Sequence, residues 1–216
     1  MKTLLCYILI ACLFLTGCSA TSQNETEIAY SEPIIESTAF EPYQATLKSG
    51  HYIVGMDIPA GVYKISVTKG NGNLICSEAG VNEIMGVNDD PMYIEEYNNA
   101  DLEVGYILSV LDITVRIETD AADMTNVYKR DNPAQNKVIL KPGIYVSGQD
   151  FDPGGYDVFV REGYGNVISD NSDRGINAIM GETEDDLCIT EFNNLLLDEG
   201  TSLEVSGLTI LLYPSK

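Results

Sequence analysis

The 216-residue chain reads as all-β, with two tandem homologous antiparallel modules of β-sandwich or jelly-roll-like form following a disordered tether. Three observations predict this. Short runs of alternating apolar and polar residues are separated by Gly, Pro, Asp and Asn, the residues that turns require. No segment keeps a helical period over three turns. After the tether the chain also says the same thing twice, the sequence mark of a duplicated unit.

In chain order, residues 1–18 carry Lys2, an apolar run from Leu4 to Leu15 and then polar sequence, the layout of a secretory signal peptide. The run has 12 residues where a spanning helix needs roughly 20, so it is too short to cross a bilayer. Residues 19–46 are rich in Ser, Thr, Glu and Pro without a period, and too little of them is apolar to offset the entropy of ordering. They are expected to form a flexible tether of up to roughly 90 Å when extended. Residues 47–118 form module 1, 119–136 a linker and 137–216 module 2.

Within module 1 a strand at His51–Val54 is followed by a turn from Gly55 to Gly61 and a half-buried strand at Val62–Val67. Further strands are expected at Leu74–Ser77, Asn82–Met85, Met92–Tyr97, Tyr106–Leu111 and Ile113–Glu118. Module 2 places Asp152-Pro153-Gly154-Gly155 at the corresponding turn, with Pro and Gly suited to its central positions. At an offset of 93, residues 47–75 match 140–168 at 13 of 29 positions, among them Gly50/Gly143, Tyr52/Tyr145, Asp57/Asp150 and Tyr63/Tyr156. At an offset of 95, residues 77–115 match 172–210 at 16 of 39, among them Glu96/Glu191, Asn98/Asn193 and Asn99/Asn194.

Two stretches carry resemblances. Leu15-Thr16-Gly17-Cys18 resembles the lipobox of bacterial lipoproteins. That likeness implies a diacylglycerol on the Cys18 sulfur, cleavage just before it, and a mature protein anchored at the extracellular face of the cell membrane. Gly50-x-Tyr52-x-x-Gly55-x-Asp57-Ile58-Pro59-Ala60-Gly61-x-Tyr63 resembles an uncharacterised β-rich repeat of secreted proteins and lipoproteins of Firmicutes, often tandem. It implies an extracellular, non-catalytic module and names no ligand. The second copy departs from it at Phe151-Asp152-Pro153, which shifts the proline.

Charge narrows the partners. The chain has 33 Asp and Glu against 12 Lys and Arg, a net −21. Nucleic acid is excluded, because binding it requires cations that neutralise phosphates. Contact with the membrane is expected through the lipid on Cys18 alone, since anionic headgroups repel this surface. Cys6 and Cys12 leave with the signal. Cys76 and Cys188 fall at non-equivalent repeat positions and are expected to stay separate thiols. Neither a cofactor nor a metal site is expected: no Cys-x-x-Cys occurs and His51 is the sole histidine.

Tyr52, Tyr63, Tyr145 and Tyr156 are the candidate ligand-binding residues, rings that could line a sugar-binding face, with core or rim packing as the competing role. Glu96, Asn98 and Asn99, recurring as Glu191, Asn193 and Asn194, could ligate Ca²⁺ weakly, although Asn-Asn after a strand is ordinary turn chemistry. The acidic runs Asn88-Asp89-Asp90 and Glu182–Asp186 lack the spacing of an EF-hand. Asp57 and Asp150 precede tight turns and are expected to accept backbone N–H bonds. No catalytic residues are assigned: His51 is Ile144 in the second copy and no Gly-x-Ser-x-Gly elbow is present. The expected function is binding of a glycan, wall polymer or protein. The alternatives are a purely structural envelope lipoprotein and a hydrolase using acidic residues.

Overall fold

A computed structural model describes residues 40–87, 91–172, 174–182 and 188–216. They build an all-β structure: β1 (Phe40–Leu47), β2 (Gly50–Ile53), β3 (Gly61–Cys76), β4 (Val81–Gly86), β5 (Glu96–Leu102), β6 (Ile107–Asp123), a 3₁₀ turn (Met124–Asn126), β7 (Val138–Leu140), β8 (Gly143–Val146), β9 (Gly154–Ser169), β10 (Asn177–Gly181), β11 (Glu191–Leu197) and β12 (Ser202–Pro214).

The ladder of residues 40–123 recurs in 138–214. β3 pairs with β4, β5 and β6, while β6 also carries β1 and β2. In the second half β9 pairs with β10, β11 and β12, while β12 also carries β7 and β8. All of these pairs are antiparallel. The two halves share one twelve-stranded sheet with a path β4-β3-β6-β2-β11-β9-β12-β7. The joint is a single parallel bridge between Gly50 on β2 and Asn193 on β11.

Each half keeps its own hydrophobic core. Tyr63, Ile65, Leu74, Met85, Leu108 and Ile117 are fully buried in the first. Tyr156, Val158, Val167, Met180, Leu203 and Ile210 are fully buried in the second. Strand alternation supplies part of this core: Tyr156 and Val158 in β9, and Leu203 and Val205 then Ile210 and Leu212 in β12, turn inward two residues apart.

Several boundaries move. Residues 40–46, expected as tether, are strand β1, zipped onto β6 from Phe40↔Asp123 to Leu47↔Val115. β6 correspondingly runs through 119–123, expected as linker. The strands expected at 62–67 and 74–77 are one strand, because the ladder takes up register shifts around Gly70 (φ 80) and bends instead of ending. Tyr106–Leu111 and Ile113–Glu118 fuse in the same way across Asp112 (φ 60), whose repeat partner Gly207 has φ 85. The strand expected at 92–97 begins only at Glu96; before it Ile94 makes an isolated bridge to Met85.

Candidate functional site

The seam between the halves is held by long-range polar contacts. Lys48 reaches Glu191 at 2.8 Å. The Ser49 carbonyl accepts from both the backbone N–H (2.8 Å) and the side-chain amide (3.2 Å) of Asn193. Gly50 sits at φ 154 against the Asn193 backbone, where a Cβ would overlap the carbonyl oxygen. Only glycine lets the two strands approach so closely.

Asn193 is presented by a bulge. Asn194 (φ 57) takes the left-handed conformation where the β11–β9 register shifts, and Asn99 (φ 59) does the same where β5 meets β3. Asparagine is among the few non-glycine residues that accept this conformation readily. The Asn-Asn pairs thus lie within strands, and not in turns after them as expected.

Arg130 straps the seam from the connecting segment. Its guanidinium donates to both Asp57 oxygens (2.6 and 2.7 Å) and to Asn194 Oδ1 (3.2 Å), with the Arg130 and Asp57 side chains each only 10% exposed. Two residues on, the Asn132 amide donates to the carbonyls of Gly155 and Ser215, while its oxygen accepts from Gly155 N–H. The segment is therefore a bonded brace rather than a loose linker.

His51 lies 5% exposed at the floor of the seam. Nε2 is 2.8 Å from the Gly175 carbonyl and Nδ1 is 2.8 Å from Ser109 Oγ. A carbonyl only accepts, so Nε2 carries the proton and Nδ1 accepts from the Ser109 hydroxyl. The ring stands edge-on to Phe192, 5.2 Å between centroids. Burial holds the imidazole below its ordinary pKa, opposed in part by the Gly175 carbonyl and aided by nearby Arg174. A neutral histidine with both nitrogens bonded ties three segments together. Ser109 lies in mid-ladder opposite His51 and Ile75, so the amides around it are committed to β2 and β3.

Over this floor opens a cleft of about 710 Å³, walled by Asn73, Glu78 and Asp112 from one half and Ser169, Asn171 and Asn177 from the other. Amides, hydroxyls and carboxylates share the walls with Ile75, Ile107, Leu111 and Phe192, and Arg174 lies close enough to the floor to act on His51. Asn171 is fixed in the wall by its own bonds, its amide donating to Leu196 O (2.8 Å) and its oxygen accepting from Ser169 Oγ (2.5 Å).

The four tyrosines do not line this cleft. Each spends its hydroxyl on the backbone carbonyl four residues upstream: Tyr52 on Lys48 (2.8 Å), Tyr63 on Pro59 (2.7 Å), Tyr145 on Lys141 (2.9 Å) and Tyr156 on Asp152 (2.6 Å). This bond pins the chain reversal that precedes the strand, as a tyrosine corner does in other β proteins. Tyr63 and Tyr156 are wholly buried and Tyr52 nearly so, which overturns the reading of these three as an aromatic sugar-binding face. Tyr145 is partly exposed and packs against the core of its own half. Burial raises the Tyr52 and Tyr63 hydroxyl pKa values and pushes that of Tyr156 up to about 12.

Asp57 and Asp150 do accept backbone N–H bonds, from Ile53 and Val146, both at 2.7 Å. Glu96 and Glu191 are engaged by Lys64 (2.6 Å) and Lys48 rather than grouped with other carboxylates. Among the described residues no cluster of three or more His, Cys, Asp or Glu side chains is arranged to hold a metal. Cys76 is buried, Cys188 is half-buried, and both are free thiols. Cys18, Asn88-Asp89-Asp90 and residues 183–186 lie outside the described residues.

The chain matches no protein-family model and no curated protein. Arg130, Ser109 and Asn171 belong to the seam and its cleft and were not singled out from the sequence. Arg130 stands in the one stretch without a repeat partner, where an arginine in so acidic a chain was the available signal.

Proposed function

We propose that this chain is a lipid-anchored protein of the extracellular face, held at Cys18, whose two β halves bind a neutral glycan in the cleft above His51. The lipobox and the apolar run before it support the address; residues 19–39 supply a spacer between anchor and body. The observation that carries the ligand class is the lining of the cleft. Side-chain amides and hydroxyls pair well with sugar hydroxyls, and the carboxylates of Glu78 and Asp112 in the lining disfavour anionic polymers. Binding rather than catalysis is supported by the setting of Ser109, which sits in mid-ladder between β2 and β3, where the neighbouring amides are committed to strand pairing and not free to receive an oxyanion.

The experiment is a thermal-shift screen of the full chain against purified neutral glycans, anionic wall polymers and Ca²⁺. A ligand that binds the folded state raises the melting temperature, by about 2.7 kcal/mol of stability at a hundred times its Kd. A rise with a neutral glycan that Asn171→Ala abolishes is the expected result. A rise with anionic polymer alone contradicts the ligand class, and a flat screen contradicts the binding reading and favours a structural envelope protein. The anchor has its own test. Intact mass of membrane-extracted protein should show a lipidated N-terminus, and Cys18→Ala should release the protein from the membrane.

A further inference from the structure

The in-chain seam uses one face of each half, Lys48-Ser49-Gly50-His51 on the first and Glu191-Phe192-Asn193 on the second. The repeat offsets carry these faces onto Lys141-Pro142-Gly143-Ile144 and Glu96-Tyr97-Asn98. Each half thus has both faces, and the seam consumes only one of each. We propose that a second copy of this chain takes the remaining pair, β8 of one chain docking beside β5 of the next in the register of β2 beside β11, so that chains assemble head to tail.

Four observations support this. Among the described residues β5 pairs with β3 alone and β8 with β12 alone, whereas their counterparts β11 and β2 also pair with each other. An unpaired strand edge is a ready template for another chain. Burial shows the same vacancy: Gly50, His51 and Phe192 are buried, while Ile144 is 70% exposed and Tyr97 only half-buried. Glu191, Asn193 and Asn194 are half-buried, and Glu96, Asn98 and Asn99 are exposed.

One side of the docking geometry is already set. The bulge at Asn99 has the same backbone conformation as that at Asn194, so Asn98 is presented as Asn193 is. Pro142 replaces Ser49, but the seam uses only the carbonyl at that position, which proline keeps. Ile144 replaces His51 opposite Tyr97, an apolar side chain meeting an aromatic one.

Charge matches as well. Lys141 is exposed and, among the described residues, has no carboxylate partner for its ammonium. Glu96 is exposed on the opposite face, bonded to Lys64 of its own sheet at 2.6 Å and to the Asn98 amide at 2.9 Å. Lys141 of the next chain would share that carboxylate as Lys48 holds Glu191. The junction between chains lacks the strap, because Arg130 is spent on Asp57 and Asn194 within its own chain. Association is therefore weaker than the in-chain seam and depends on concentration. Joining two unlike faces leaves one of each open at the ends, so assembly continues into rings or filaments.

The test is sedimentation velocity of the full chain in non-ionic detergent over a wide range of protein concentration. Species of two and more chains should grow with concentration, and Lys141→Glu or Glu96→Lys alone should weaken association by at least about tenfold, as like charges across an interface do. The double variant exchanges the charges on both faces and should restore association. Ile144→Asp and Ile144→Lys should both abolish it, the lysine facing its ladder partner Glu204 without repulsion, and melting curves verify that every variant is folded. A single-chain species at all concentrations would overturn the proposal. So would association indifferent to these changes, which would place the contact in the apolar N-terminal segment.

Discussion

Gly50→Ala and Gly143→Ala are the same substitution at equivalent repeat positions, and the structure assigns them opposite outcomes. At Gly50 the new Cβ overlaps the Asn193 carbonyl oxygen and falls 2.8 Å from its nitrogen, backbone that cannot swing aside. Overpacking of this kind costs about 1–3 kcal/mol. The φ of 154 adds a second penalty, since a side chain held in a sparsely populated backbone region costs of order 1–3 kcal/mol. The smallest sum, about 2 kcal/mol, lowers the melting temperature of a chain this size by at least roughly 4 °C. At Gly143 the Cβ would meet only the ring of Tyr145 at 3.2–3.3 Å, with no positive φ. Alanine there should be neutral, or stabilising by about 0.4–1 kcal/mol through the unfolded state. Differential scanning calorimetry of the two variants beside the parent decides the matter. Equal melting temperatures for the pair would refute the claim that Gly50 is required by close approach across the seam.

Removing the strap by Arg130→Ala leaves Asp57 buried without its cation, and urea unfolding should show a loss of about 3–5 kcal/mol, the usual cost of breaking a buried pair. Asn99→Ala and Asn194→Ala should each cost about 1–2 kcal/mol by forcing alanine into the left-handed region, whereas Asn→Gly at either position should cost far less; equal effects of Ala and Gly would refute the bulge argument. Because burial lowers the His51 pKa in the fold, the unfolded chain binds more protons below about pH 6.5, so stability should be full above that pH and decline as pH falls through it. Denaturant midpoints measured between about pH 5 and 7 should lose this slope in His51→Gln. Tyr63→Phe and Tyr156→Phe should each cost about 1 kcal/mol for the lost corner bond, read from the same urea midpoints.

The fold class was legible because alternation and turn chemistry are local properties of sequence, and the duplication exposed the repeat directly. The roles of Asp57 and Asp150 were legible for the same reason: their bonds close within four residues. Strand boundaries were less so. Gly70 and Asp112 look like breaks, yet positive φ inside a long ladder bends a strand without ending it. The tyrosines misled because alternation says only that a ring is half-buried; whether its hydroxyl faces solvent or the chain's own carbonyl depends on the corner geometry. The seam was the least legible part. It joins residues more than a hundred positions apart, such as Lys48 and Glu191 or His51 and Gly175, and nothing in local pattern specifies such a pairing.

Hydrogen exchange of the full chain with and without a neutral glycan that raises its melting temperature tests the central claim most directly. The cleft draws its walls from both halves, so the glycan should slow exchange together in Asn73–Glu78 of the first half and in Ser169–Asn171 and Gly175–Ala178 of the second. Protection confined to one half, or lying on the outer faces of the sheet away from His51, would contradict it.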